Sequence, residues 1–246
     1  MPEQPFESVT TPPAEAPPAA SLWEDFIDIF YAPSAVFERR RGAKWWPMLV
    51  ILTIVMVVLF YFYQRILSPV FDAELQRQMA SRAQQLTPQQ MENARRVTSI
   101  IRPLTMVIGF PITIFVLGLV TWALGFAFGG AMKLGSVVLV VTYAQIVKVL
   151  QLLAGIVQSF FLDVGHMTSI HQLSLGLDRF LSPDMPAVLL GLASRVEVFT
   201  LWATVLLAIG LHVVGRLPKG RAYAVAFLVW ALGAIPIAVG ALINSR

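Results

Sequence analysis

Gln145, Lys148, Gln151 and Gln158 sit inside one apolar run, Ser136 to Leu162. At about 100° per residue they fall within an arc of roughly 140° around a helix. Lipid offers no partner for an amide or an ammonium, so this stripe must face another polar group, a backbone carbonyl or a water-filled cleft. The acid of comparable depth is Glu197, in a later apolar run. Counted from the run ends at about 1.5 Å per residue, it lies within about a turn and a half of Lys148. Arg195, nearer the outer end, is expected to snorkel to the interface. Two uses stay open. The stripe is an internal ion pair with glutamines bonding across helices, or it lines a path or cavity for a proton, an ion or a lipid headgroup. Were the fourth run to start at Phe199, Glu197 would stand near water and need no partner.

Other chemistry is sparse. The chain has no cysteine, which excludes disulfides, thiolate nucleophiles and cysteine-based metal sites. His166, His171 and His212 form no i, i+4 pair of the H-E-x-x-H kind. Asp163 and His166 share a helical face and are the one candidate pair for a metal, with solvated loop residues as the plainer reading. There is no G-x-x-x-x-G-K-[ST] loop and no G-x-S-x-G, and the glycines of "GFAFGG" lie inside an apolar run. The expectation is a non-enzymatic protein with no cofactor, no metal and no nucleic-acid partner.

The elements that must position the stripe are membrane spans. Of 246 residues, 57% are hydrophobic and 13% charged, against roughly 25% charged in a soluble domain. Five runs reach the ~20 residues needed to cross a bilayer: about 45–67, 104–132, 136–162, 188–214 and 222–243. The predicted fold is therefore all-α, an integral membrane bundle of five transmembrane helices. Residues 1–20, rich in proline and glutamate, read as a disordered tail, and no cleavable signal peptide is expected. Residues 21–37 open with Ser21 and Glu24 at capping-box spacing, then Leu22, Trp23, Phe26, Ile27, Phe30 and Tyr31 opposite Asp25 and Asp28. That pattern predicts a short amphipathic helix docked at the membrane interface.

Arg39, Arg40, Arg41 and Lys44 precede Trp45 and Trp46, a basic cluster and aromatic anchor that should stay cytoplasmic. Short basic connections at Lys133 and at Arg216, Lys219 and Arg221 fall on the same side, so the amino terminus is expected inside an inner membrane and the carboxyl terminus outside. Residues 68–103 read as an outer helical hairpin, with Thr87 and Pro88 starting its second arm. Gly118, Gly125 and Gly129 suit close helix packing, within one bundle or at a homodimer seam. No internal or inverted repeat is visible.

The order of these features resembles the Ypt-interacting protein (Yip) domain family, in its bacterial branch. It is carried by "FYAPSAVFERRRGAKWWPML", "VVTYAQIVKVLQ", and "RVEVFTLWATVLLAIGL" through "RLPKGRAYAVAFLVWALGAI", over about residues 28–243. The resemblance implies five spans and a cytoplasmic amino terminus. Eukaryotic members bind Rab-type GTPases in Golgi and endoplasmic reticulum traffic, but their "DLYGP" motif is not found here, so that role does not carry over. The expected function is a scaffold or accessory subunit with a membrane-protein partner in the bilayer. The rival is a transporter or lipid-handling protein that uses the Gln145, Lys148, Gln151, Gln158 and Glu197 stripe.

Overall fold

The computed structural model describes residues 21–81, 88–167 and 169–244. The Pro-rich tail and the Thr87 cap lie outside these residues. A chain this apolar must satisfy its backbone internally, and the described residues form an integral membrane bundle of helices without strands. In order they are α1 (Leu22–Tyr31), α2 (Pro33–Arg39), α3 (Trp46–Ile66), α4 (Ser68–Ser81), α5 (Pro88–Ala127), α6 (Leu134–Ala144), α7 (Val147–Ser159), α8 (Ala187–Ala193), α9 (Val198–Val213), α10 (Lys219–Leu232) and α11 (Ile235–Asn244). Among the described residues, four stretches are long and apolar enough to cross a membrane: Trp46–Ile66, Thr105–Ala127, Leu134–Ser159 and Lys219–Gly240. The apolar helix α9 is shorter, at 16 residues.

Several boundaries differ from the sequence expectation. The second arm of the 68–103 hairpin is not separate from the second span. Both belong to α5, 40 residues long or about 60 Å of helix, which runs through Pro103 and Pro111. The third span is interrupted at Gln145 and Ile146, where backbone bonds tighten to i→i−3: Ile146 N–H to Tyr143 C=O and Lys148 N–H to Gln145 C=O, at 3.2 and 2.9 Å. Such a mid-helix tightening marks a hinge or local strain. The fourth run is split into α8 and α9 by Ser194–Glu197, and Glu197 is the extended N-cap of α9. Gly129 is not part of a packing face. At φ +85° it sits past the end of α5, where Gly130 N–H reaches Gly125 C=O at 2.8 Å and Gly129 N–H reaches Phe126 C=O at 2.9 Å. That paired bonding is a Schellman cap, which needs a left-handed residue at this place.

α6 is the central helix. Val137 through Ala144 are all buried, because α3, α5 and α9 surround it. With little hydrophobic driving force between helices in lipid, close approach and internal satisfaction of polar groups hold such a bundle together. Gly118 provides the approach of α5 to α6: a Cβ there would stand 2.9 Å from Val138 Cγ2. At Gly210 the squeeze is tighter, 2.4 Å from Val140 Cγ1 and 2.9 Å from Phe37 Cζ. The hydroxyls of Thr53, Thr121, Thr142 and Thr204 donate to the carbonyl four residues back, so they need no partner outside their own helix.

α1 keeps its capping box, with Glu24 N–H donating to Ser21 Oγ at 3.2 Å and Ser21 N–H to Glu24 Oε2 at 3.0 Å. One residue of its polar face, Asp25, turns inward beside Ile29, while Glu24 stays exposed. Asp25 is fully buried and accepts from Arg39 Nε (2.8 Å), Arg40 Nε (2.6 Å) and the Tyr143 hydroxyl (2.6 Å). Trp23, Ile27 and Tyr31 point away from the bundle. The basic cluster is therefore divided. Arg39 and Arg40 serve Asp25, Arg41 donates to Glu38 and to Val213 C=O, and Lys44 is exposed. The aromatic pair divides too: Trp45 packs edge-on against Phe115 with ring centres 4.9 Å apart, and Trp46 faces outward.

Candidate functional site

The connection after α7 folds back over the bundle. Leu173 packs with Leu67 and Val70 at the start of α4, and a single bridge lays Gly176 beside Glu197, with Leu177 N–H donating to Val196 C=O at 3.2 Å. A side chain at Gly176 would meet Asp178 Oδ1 at 2.7 Å and Glu197 Cβ at 3.0 Å, so glycine allows this approach. The fold-back covers the gap between α8 and α9. As a result Glu197, although it begins a helix and ends no span, is only 3% exposed.

Lys148 and Glu197 do meet. Lys148 Nζ lies 3.6 Å from Glu197 Oε2, and Thr200 bridges them, accepting from Nζ at 2.9 Å and donating to the carboxylate at 2.8 Å. Gln151 and Gln158 line one cavity with Lys148, and Gln145 does not share it. Gln158 anchors the fold-back, donating to Leu173 C=O at 3.2 Å and accepting from Arg179 Nη1 at 3.0 Å. Gln151 lines a polar cavity of about 360 Å³ together with Lys148, Glu197 and Thr200. Gln145 lies instead on a second cavity of about 520 Å³, walled mostly by apolar residues of α5, α9 and α10. Both volumes fall in the ~300–1,000 Å³ range of ligand pockets.

Lys148, Thr200 and Arg195 line both spaces. Arg195 does not snorkel. Its Nη2 donates to Trp230 C=O, its guanidinium sits 5.8 Å from the centre of the Trp230 ring, and Trp230 Nε1 donates back to Arg195 C=O at 3.0 Å. The polar cavity also holds a cluster that spacing did not reveal. Asp178, 2% exposed, pairs with His171 Nδ1 at 2.7 Å and accepts from Ser174 Oγ at 2.6 Å. Asp163 and His166 pair directly at 2.7 Å on the exposed surface, where the hydrogen bond from His166 holds the Asp163 carboxyl below its ordinary value. Among the described residues no group of three or more histidines and carboxylates could hold a metal.

The arrangement can do one thing well: present cationic and hydrogen-bonding groups at the boundary between a polar chamber and an apolar groove. Such a boundary matches a molecule with a polar head and an apolar tail.

Comparison with known proteins agrees with a membrane setting. The model of the family described as "Yip1 domain" matches residues 27–240. A curated relative, the membrane protein YknW of Bacillus subtilis, is 25% identical over 162 residues, which is 66% of this chain and 68% of that protein. No solved structure matches the chain at a significant level.

Proposed function

The chain belongs to the Yip1 domain family of membrane proteins, and from that premise we propose that it is a lipid-handling protein. A membrane amphiphile is held with its head in the polar cavity and its tail in the groove. One observation carries this reading: Lys148, Arg195 and Thr200 form the common wall of a 360 Å³ polar space and a 520 Å³ apolar one. A dry, purely architectural ion pair would be packed on all sides, whereas the Lys148 side chain keeps 24% of its surface exposed. Intramembrane ionisable groups that face a cavity are commonly functional. The chemistry required is binding and release; no covalent step is involved. Liposomes containing the purified chain should move a fluorescent phospholipid between leaflets, and Lys148→Met should abolish the movement. Movement no faster than in protein-free vesicles removes the proposal.

A scaffold or accessory role has its own supporting observation. α5 begins at Pro88, 17 residues before its apolar stretch starts at Thr105, which extends it by roughly 25 Å. That polar extension is a suitable handle for another membrane protein. Crosslinking in native membranes should then recover a defined partner, lost when residues 68–103 are replaced by a short linker. Recovery of the same partner from the linker variant would sink this reading.

A further inference from the structure

Arg195 is a cation in search of an anion. It forms no ion pair among the described residues, and its Nε is buried without any hydrogen-bond acceptor. Its satisfied contacts are uncharged, the carbonyl and ring of Trp230. An unneutralised guanidinium with an idle buried donor is costly at this depth, and such groups generally answer to a functional role or to a bound water or ion. Lys148 does not relieve it. Its positive charge faces the same two cavities, and Glu197, the carboxylate beside it, is already engaged by Thr200 and Lys148. The groove below is apolar, and its rim residues Ile112, Val116 and Leu232 reach the exposed face of the bundle. A tail can thus enter sideways from lipid.

We infer that the amphiphile is an anionic phospholipid, whose phosphate, with no cation in its own headgroup to neutralise it, takes the place of a counter-ion for Arg195, next to Lys148. This inference rests on the lipid-handling reading and specifies its ligand class. Guanidinium and phosphate form paired, charge-assisted hydrogen bonds, which an arginine supplies better than a lysine. The uncharged polar groups of the chamber, Gln151 and Ser194 among them, then face the rest of the headgroup.

The test uses the full chain in nanodiscs of equal phosphatidylglycerol and phosphatidylcholine, followed by native mass spectrometry of the lipid retained after release. The wild-type chain should retain phosphatidylglycerol over phosphatidylcholine by roughly threefold, the effect of a modest ion pair. Arg195→Gln should retain lipid without the preference, and Arg195→Lys should keep part of it. Brominated phosphatidylglycerol should also quench wild-type fluorescence more than that of Trp230→Phe, which places the lipid at the groove. Equal retention of the two lipids by the wild type overturns the anionic class and leaves the lipid-handling reading standing. Retention of neither lipid overturns both. Loss of the preference on adding inorganic phosphate would make the free anion the ligand and overturn the lipid assignment. That competition is read on the wild type, so the test does not depend on the folding of Arg195→Gln.

Discussion

Asp25→Ala should lower the unfolding stability of the detergent-solubilised chain by about 3 kcal/mol, the lower end of the cost of breaking a buried ion pair. The lower end applies because Arg39 and Arg40 keep 28% and 17% of their side-chain surface exposed, while Asp25 has none. Alanine removes the acceptor of three donors at once: Arg39, Arg40 and the Tyr143 hydroxyl. Arg39 would keep only its contact with Asp28 at 2.8 Å, Arg40 would lose its Asp25 acceptor, and Tyr143, in the centre of the core, would lose its partner. Asp25→Asn, which keeps an acceptor oxygen but no charge, should fall between alanine and wild type. Arg41→Ala, at an exposed pair with Glu38, should cost under about 1 kcal/mol. Thermal unfolding of the four proteins in one detergent decides this. A change under about 1 kcal/mol for Asp25→Ala would mean that the cluster is solvated and does not hold α1 in place.

This cluster also shows why α1 was only half legible in the sequence. Its start and its period follow from the Ser21–Glu24 capping box and the spacing of its aromatic residues, which are local properties. Which face turns inward is not local. In water, charge outside and apolar residues inside is the default, but beside a membrane the outside can also be apolar. In this chain Asp25 is buried beside Ile29, and Trp23, Ile27 and Tyr31 turn out.

A similar division runs through the spans. Hydropathy locates them, since backbone satisfaction in lipid permits little besides helix. It does not reveal the interruption at Gln145 and Ile146, where neither proline nor glycine signals a break. Nor does it reveal the fold-back that sets Gly176 against Glu197, because that contact depends on where a distant connection returns. The meeting of Lys148 with Glu197 was legible because helical rise is nearly constant. It survives even though Glu197 begins α9 in place of lying within a longer span, because the fold-back closes over it. Arg195 was misjudged for the complementary reason. A long basic side chain near a span end snorkels by default, and only the position of Trp230 on α10 shows what holds it inside.

The two partners of the Lys148–Glu197 pair should respond unequally to mutation. Glu197 is 3% exposed and Lys148 24%, so Lys148→Met strands a carboxylate that water reaches poorly, at a cost of about 3 kcal/mol. Glu197→Gln leaves the ammonium facing the polar cavity, still bonded to Thr200, and should cost only about 1–2 kcal/mol. Removing both charges leaves nothing stranded, so Lys148→Met with Glu197→Gln should return to within about 1 kcal/mol of wild type, a strongly non-additive cycle. Thermal or denaturant unfolding of the four proteins measures it. The double variant then separates architecture from function, since its fold is restored and its cation is absent. If Lys148 serves the amphiphile, this folded protein should move no lipid between leaflets; if lipid moves at the wild-type rate, Lys148 only holds α7 against α9. A stable double variant without lipid movement is the expected outcome, because the cavity wall keeps its shape while losing the charge nearest to Thr200.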